Sequence, residues 1–411
     1  MLIGIDASRA NAANKTGTEW YSWHLIRELA PLLKNHRLRL YLREAPEEGL
    51  AHLGPHVEVR VLRWPPAIVW SHLRLAWELL IHPPDVLFVP ADTVPIIHPP
   101  KTYTTIHDVA FERFPELYQG RSVQRRLGWL RPFVHAGVRL LTGGRYSASE
   151  RDYHRWSARH AIRSSRAIVT VSEFSKREIV ETLGAQPERI VVTHLGIAQP
   201  EVFEAISEET CRQALGALQI TQPYLIFTGR LEKKKNIAHL LRAYKQYSET
   251  RDQPAELVLV GQPGYGWDEA LKIQQSISHP QSVHRLGWQD DATIKILEKK
   301  AVAMLFVSRY EGFGLPPLES QSAGVPVIAS PCGSLPEVLG ATALFVGPDD
   351  VNGLVRAMAS MAEDAAARQA LIQRGLANAR KFTWRACALA TLPVLLGAAI
   401  PLQKGDNSGR L

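Results

Sequence analysis

The chain has 411 residues, of which 45% are hydrophobic and 21% charged, proportions of a folded globular protein that exclude the disordered and fibrous classes. Its length exceeds one ordinary core, so two domains are expected. The three cysteines, Cys211, Cys332 and Cys387, lie far apart; this excludes a disulfide framework and a paired-cysteine metal site, and fits a reducing compartment.

In chain order, the opening MLIGIDASRA has no basic stretch ahead of an apolar one, so no signal peptide is expected. Short apolar, β-branched runs then recur, each followed by a longer stretch of helical spacing. The first half has them at 2–6, 37–42, 57–62, 85–90, 102–106 and 167–172. The second half has them at 224–229, 256–261, 302–308, 325–330 and 343–347. Runs that are apolar throughout, rather than alternating, indicate strands buried on both faces. Strands alternating with helices predict right-handed βαβ units, and hence an α/β fold of doubly wound parallel sheets.

The alternation pauses over 198–221, which places a domain boundary there. One Rossmann-like domain is expected over 1–200 and another over 221–385, with a cleft between the carboxyl ends of their strands. The stretch 386–402 carries no charge but is broken by Pro393 and Gly397. It falls short of the ~20 residues that span a bilayer, so a buried packing helix is expected. The polar tail 403–411 is expected to fray.

The most specific stretch is VSRYEGFGLPPLESQSAGVPVIAS at 307–330. A strand ends near Val307, a loop carries Glu311, Gly312 and Gly314, and a helix is expected to open at Pro316-Pro317. Proline suits a helix's first turn, where its missing N–H has no partner to lose. The free amides there, with the helix dipole, form an anion site, and glycines let a phosphate approach the backbone. Glu311 on the loop can face a ligand's reacting end, while Glu319 within the helix can accept from ribose hydroxyls. TGRLEKKKN at 228–236 supplies Arg230 and Lys235 at another strand-to-helix turn. A forked donor beside a point charge suits a diphosphate. No strand-end DxD pair or histidine–cysteine cluster occurs, and Asp290-Asp291 and Asp349-Asp350 read as turns.

EGFGLPPLE, GRLEKKKN, LVLVGQPGYGWDE (257–269), GSLPEV (333–338), TIHDVAFERFP (105–115) and the 171–197 stretch together resemble the retaining glycosyltransferases of family 4. The resemblance spans nearly the whole chain except about 118–165. It implies a GT-B fold and transfer of a sugar from a nucleotide-diphosphate donor with retained anomeric configuration, without a metal or other cofactor. By the same resemblance, Arg230 and Lys235 hold the diphosphate, Glu311 contacts the donor sugar and Glu319 the ribose. The backbone of Gly312, Phe313, Gly314 and Leu315 meets the diphosphate and sugar, and His107 lies across the cleft as a catalytic neighbour of the acceptor. The final segment, from Phe382-Thr383-Trp384 onward, resembles helices that return to the first domain.

The donor expected is a mannose-type sugar on GDP, with UDP-hexoses next, and the acceptor a glycan or lipid-linked glycan of envelope polysaccharide or glycolipid synthesis. Another GT-B enzyme, such as an epimerase or phosphorylase, and a non-catalytic nucleotide-sugar-binding protein are the alternatives. The family often has two close glycines in its first loop, whereas this chain has only Gly17, placed where donor or acceptor phosphate can meet backbone.

Between Gly120 and Arg166 stand eleven arginines against Glu150 and Asp152, a local net charge of +9 beside +8 for the whole chain. Arg151, Arg155, Arg159 and Arg163 are four apart, in one row if helical. The stretch suits an anionic membrane surface or the diphosphate of a lipid-linked acceptor. The bland alternative is a solvated helix face. Nucleic acid is not expected, since no recognition motif accompanies the charge. The protein is expected in the cytoplasm, peripheral to the inner face of the membrane.

Overall fold

The computed structural model describes residues 1–63, 70–118 and 150–398. Seven strands form the first sheet: β1 (Leu2–Asp6), β2 (Arg37–Leu42), β3 (Val57–Val61), β4 (Val86–Val89), β5 (Thr102–Thr105), β6 (Ala167–Thr170) and β7 (Ile190–Val192). Six form the second: β8 (Tyr224–Thr228), β9 (Glu256–Val260), β10 (Val283–Gly287), β11 (Ala303–Phe306), β12 (Val327–Ala329) and β13 (Leu344–Phe345). Every pairing is parallel, with Ile5 opposite Phe88 in one sheet and Met304 opposite Ile226 in the other. Helices cover both sheets, and Ile3, Ile5, Phe88, Ile226, Phe227 and Leu305 are fully buried. The α/β fold of two doubly wound sheets follows from those continuous apolar strands.

Two strands lie outside the expected runs. β7 is apolar but only three residues long, and β10 includes His284 and Arg285, so neither presents a long apolar run. Both are the outermost strands of their sheets, where one edge has no neighbour and polar side chains are tolerated. His284 Nε2 lies 2.8 Å from Glu256 Oε2 on β9, a cross-strand polar pair in place of an apolar one.

Strand order fixes where ligands can enter. The first sheet runs β3-β2-β1-β4-β5-β6-β7 and the second β10-β9-β8-β11-β12-β13. Chain direction across the sheet reverses between β1 and β4, and again between β8 and β11. In open α/β sheets, ligands bind in the crevice beyond the strand ends at such a switch point.

The helices Pro200–Glu204 and Glu208–Ala217 follow the first sheet. Lys299 Nζ ties the first to the second sheet's helix Asp291–Lys300, donating to the carbonyls of Phe203 (3.0 Å) and Ile206 (2.7 Å). The helix Trp384–Leu395 lies along the helix Gly17–Leu32 of the first unit. Trp384 stacks on His24 at 4.6 Å with 6° between planes, and Arg385 lies 3.9 Å from Glu28. Its 12 residues include Pro393, and among the described residues no helix is long and apolar enough to cross a membrane.

Burial within this joint, assisted by Arg27 and Lys295, lowers the His24 pKa from 6.5 to about 3. The unfolded chain therefore binds a proton near pH 6.5 that the folded chain refuses. The neutral stack's contribution is fully present above pH 6.5 and is lost as pH falls toward 3, by about 1.4 kcal/mol per pH unit. Urea midpoints between pH 7 and 4.5 are expected to fall less steeply for His24→Gln than for the wild type. Equal slopes would mean that His24 titrates normally.

Candidate active site

The second crevice is built from two strand ends. β8 is followed by Gly229 and Arg230, then by a 3-10 turn at Lys233–Lys235 and the helix Ile237–Glu249. β11 is followed by the 307–314 loop and the helix Leu315–Ser322. The helix opens at Leu315, so Pro316 and Pro317 fall within its first turn and Gly314 immediately precedes it. Because Pro316 and Pro317 have no N–H, Leu315 carries the one free amide of residues 315–317 at the helix start.

Lys235 Nζ donates to Glu311 Oε1 at 2.6 Å, with the side chains 14% and 9% exposed. The ammonium also lies 4.9 Å from the centre of the Phe306 ring. Removing one partner of such a buried pair typically costs about 3–5 kcal/mol, because the other charge stays desolvated. Arg230 extends further out, 3.7 Å from Glu232 and half exposed. Cationic groups thus stand at two depths of one crevice.

Glu319 lies within the Leu315–Ser322 helix. Burial pushes its carboxyl up to about 7, with Asp291 adding and Lys295 opposing. Burial likewise holds Glu298 above the carboxylate range, and Glu319 raises it further. Glu298 is 1% exposed, with Thr228 Oγ1 donating to it at 3.4 Å. A carboxyl poised this way can both donate to and accept from a hydroxyl.

The 311–313 loop is held from both units. A Cβ on Gly312 would lie 2.8 Å from Asp108 Cβ and 3.0 Å from the His107 carbonyl oxygen, so only glycine fits. The Gly312 carbonyl accepts from the hydroxyls of Ser172 (2.6 Å) and Ser175 (3.1 Å), both beyond β6. Gly333, at φ +66°, backs onto Glu311, and Ser334 Oγ donates to the carbonyls of Glu311 (3.1 Å) and Phe313 (2.9 Å). Phe313 is buried between Phe382 and His194. Glu337 accepts from the amides of Glu173 (2.8 Å) and Phe174 (3.0 Å) and lies 3.0 Å from His194 Nε2. Burial alone would raise its pKa, but His194 and the two amides outweigh that and hold it below the usual range.

From the first unit, His107 follows β5. Its ring meets Tyr21 edge-on at 4.7 Å, and Tyr21 is fixed by a 2.9 Å hydroxyl pair with Thr105. Burial lowers the imidazole pKa, although Asp108 opposes it, and the ring is neutral at pH 7. Its Nε2 is buried without a partner. Asp108 accepts from the Ala110 amide at 2.9 Å. Gly17 stands across from the helix start: a Cβ there would lie 3.9 Å from Leu315 Cδ1.

The structure therefore brings together Gly17, His107, Arg230, Lys235, Glu311, Gly312, Phe313, Gly314, Leu315 and Glu319 at the ends of central strands. The arginine row lies apart from them, on the helix Glu150–Ser164. Arg155 Nε donates to Glu112 at 2.6 Å and Arg151 lies 3.8 Å from the same carboxylate. Arg159 adds its field to Glu112, while Arg163 is exposed. The arginines from 121 to 145 fall outside the described residues. Ser172, Ser175, Ser334 and Glu337 were not singled out from sequence, although they lie inside stretches that carried the resemblance. Glu298, in LEKK, has no local signal at all.

Among the described residues, no three histidine, cysteine or carboxylate side chains gather as a metal site. Residues 213–377 match the family model of glycosyl transferases group 1. Over 257 residues the chain is 32% identical to the O-antigen chain mannosyltransferase B of Escherichia coli, covering 62% of this chain and 67% of that one. It is 27% identical over 285 residues to the D-inositol 3-phosphate glycosyltransferase of Kribbella flavida, covering 64% and 65%. Anabaena HepE, solved in complex with UDP-glucose, superimposes with a TM-score of 0.66 at 16% identity, over 96% of this chain and 99% of that one.

If the 311–313 loop joins the two units, overpacking it should loosen them. Gly312→Ala is expected to destabilise by about 1–3 kcal/mol, read as a lower urea midpoint. An unchanged midpoint would show that the contact with Asp108 is not tight in solution.

Proposed function

The chain belongs to the group 1 glycosyltransferases and has their GT-B fold, and from that premise we propose that it is a retaining hexosyltransferase of the family 4 type. It moves mannose from GDP-mannose to a glycan or lipid-linked glycan. The mannose assignment rests on the mannosyltransferase relative. A nucleotide-sugar donor is supported by the charge arrangement and by the UDP-glucose complex of Anabaena HepE.

The observation that carries the proposal is the buried Lys235–Glu311 pair at the second crevice, facing the His107 strand end. The donor diphosphate lies against the Gly314-Leu315 backbone at the start of the Leu315–Ser322 helix, with Arg230 and Lys235 offsetting its charge. As the glycosidic bond lengthens, negative charge builds on the leaving diphosphate and positive charge on the sugar ring. Fixed cations and oriented amides stabilise the first without reorganising, and in many such sites this supplies most of the rate enhancement. Glu311, held in place by Lys235 at 2.6 Å, holds a sugar hydroxyl and faces the developing positive charge. Glu319 takes the ribose. The neutral His107 leaves one ring nitrogen for a hydroxyl of the donor sugar or of the incoming acceptor. No step in this scheme uses a metal.

The test is transfer from GDP-mannose, with UDP-glucose as comparison, to mannoside acceptors, with product anomeric configuration read by proton NMR. The expected product retains the donor's configuration. Glu311→Gln, which keeps a hydrogen-bonding group opposite Lys235, is expected to lower kcat by about 10²–10³-fold in protein that stays folded but melts below the wild type. An inverted product, or wild-type turnover in Glu311→Gln, would overturn the assignment.

A further inference from the structure

Glu337 belongs to the helix Leu335–Leu339 of the second unit, yet its carboxylate is held by the first. Its Oε1 accepts from the Glu173 amide at 2.8 Å and lies 3.0 Å from His194 Nε2, and its Oε2 accepts from the Phe174 amide at 3.0 Å. Glu173 and Phe174 open the helix Glu173–Leu183, whose first amides and dipole favour an anion. That helix follows β6, and β6 pairs with β5, whose end carries His107. Ser172 caps the same helix and donates its hydroxyl to the Gly312 carbonyl at 2.6 Å. The His194 ring lies 6.0 Å from the Phe313 ring, so this clamp and the 311–313 loop share neighbours.

At its other end the clamp reaches Glu311. Gly333 backs onto that residue so closely that a Cβ would lie 2.6 Å from the Glu311 amide nitrogen and 2.5 Å from its carbonyl oxygen. The Ser334 amide and hydroxyl both donate to the Glu311 carbonyl, at 3.0 and 3.1 Å. The Ser334 carbonyl then accepts from the Val338 amide at 2.9 Å, which fixes the turn that carries Glu337. The segment 333–337 is therefore a short strut. One end sets the Glu311 backbone, and the other is hydrogen bonded to the unit that carries His107. Both carboxylate oxygens are used, so a rotation of one unit against the other strains these bonds.

We propose that Glu337 is a positioning residue for sugar transfer that acts through Glu311: by clamping the first turn of the Glu173–Leu183 helix, it sets the spacing between Glu311 and the strand end that carries His107. This rests on the reading that the reacting sugar lies between those two groups. Arg230 and Lys235, the cations for the diphosphate, both belong to the second unit, so nucleotide binding does not depend on the clamp. Transfer does depend on it, because groups from both units must be aligned, and a misplacement of about 1 Å costs on the order of 10²-fold. Glutamine at 337 cannot replace the carboxylate. Its oxygen accepts from one amide, while its NH2 group faces a second donor.

The experiment compares the full-length wild type with Glu337→Gln in three measurements. Hydrogen–deuterium exchange over residues 172–176, read by mass spectrometry, reports the clamp itself. Calorimetric titration of GDP and UDP reports the donor crevice and shows that the variant is folded. Transfer from GDP-mannose and from UDP-glucose reports the alignment. The expected result is faster exchange at Glu173 and Phe174, unchanged nucleotide affinity and donor KM, and a kcat lower by about 10²-fold. A contact that only stabilised the fold would lower the melting temperature and leave kcat intact, so an unchanged kcat would overturn the proposal. Unchanged exchange would overturn it too, by showing that the clamp does not form in solution. Loss of nucleotide affinity together with kcat would also overturn it, since Glu337 would then shape the donor crevice directly. A wild type that binds neither nucleotide would refute the donor reading, and the positioning role with it, while the exchange data still decide whether the clamp exists.

Discussion

Everything in this molecule turns on a place where no side chain fits. Gly312 lies so close to Asp108 and to the His107 carbonyl that even a methyl group would collide. Its own carbonyl is taken by two serine hydroxyls from the other unit. The loop facing the reacting groups is therefore also a joint between the two sheets. Glu311 inherits its position from that joint, because Gly333 and Ser334 fix the same backbone from behind. A loop held on both sides loses little freedom when a ligand arrives, which is what a preorganised electrostatic site requires.

The two crevices divide the chemistry by charge. The second carries Arg230 and Lys235 at the opening of a helix, with the ion pair to Glu311 buried and hydrogen bonded. The first carries the carboxyl groups of Asp6 and Asp92, the latter 3.9 Å from His154. The joint through Gly312, the Glu337 contacts to Glu173 and Phe174, and the returning helix stacked on His24 hold those crevices toward each other.

The sheets were legible because parallel strands buried on both faces are apolar over most of their length, as in LIGID and YLIFT. β7 and β10 were not, because β7 has only three residues and β10 carries His284 and Arg285, which an outermost strand tolerates. The second crevice was legible for a related reason. Each half of it is a single unbroken stretch at one strand end, so glycines, prolines and charges keep a fixed spacing. The first crevice has no such run: Asp6, Ser71, His72, Asp92, Tyr153 and His154 come from four segments and meet only through the fold. Glu337 was equally silent, since a carboxylate in GSLPEV carries no sign that its partners are two amides 163 and 164 residues away.

The central claim is that the β8/β11 crevice binds a nucleotide diphosphate through Lys235. Calorimetric titration of GDP and of UDP into the wild type and into Lys235→Gln tests it most directly, because glutamine removes the charge but still offers Glu311 a hydrogen bond. The account predicts that one nucleotide binds the wild type and binds Lys235→Gln at least tenfold more weakly. Equal affinity in the two proteins, or no binding of either nucleotide to the wild type, would contradict it.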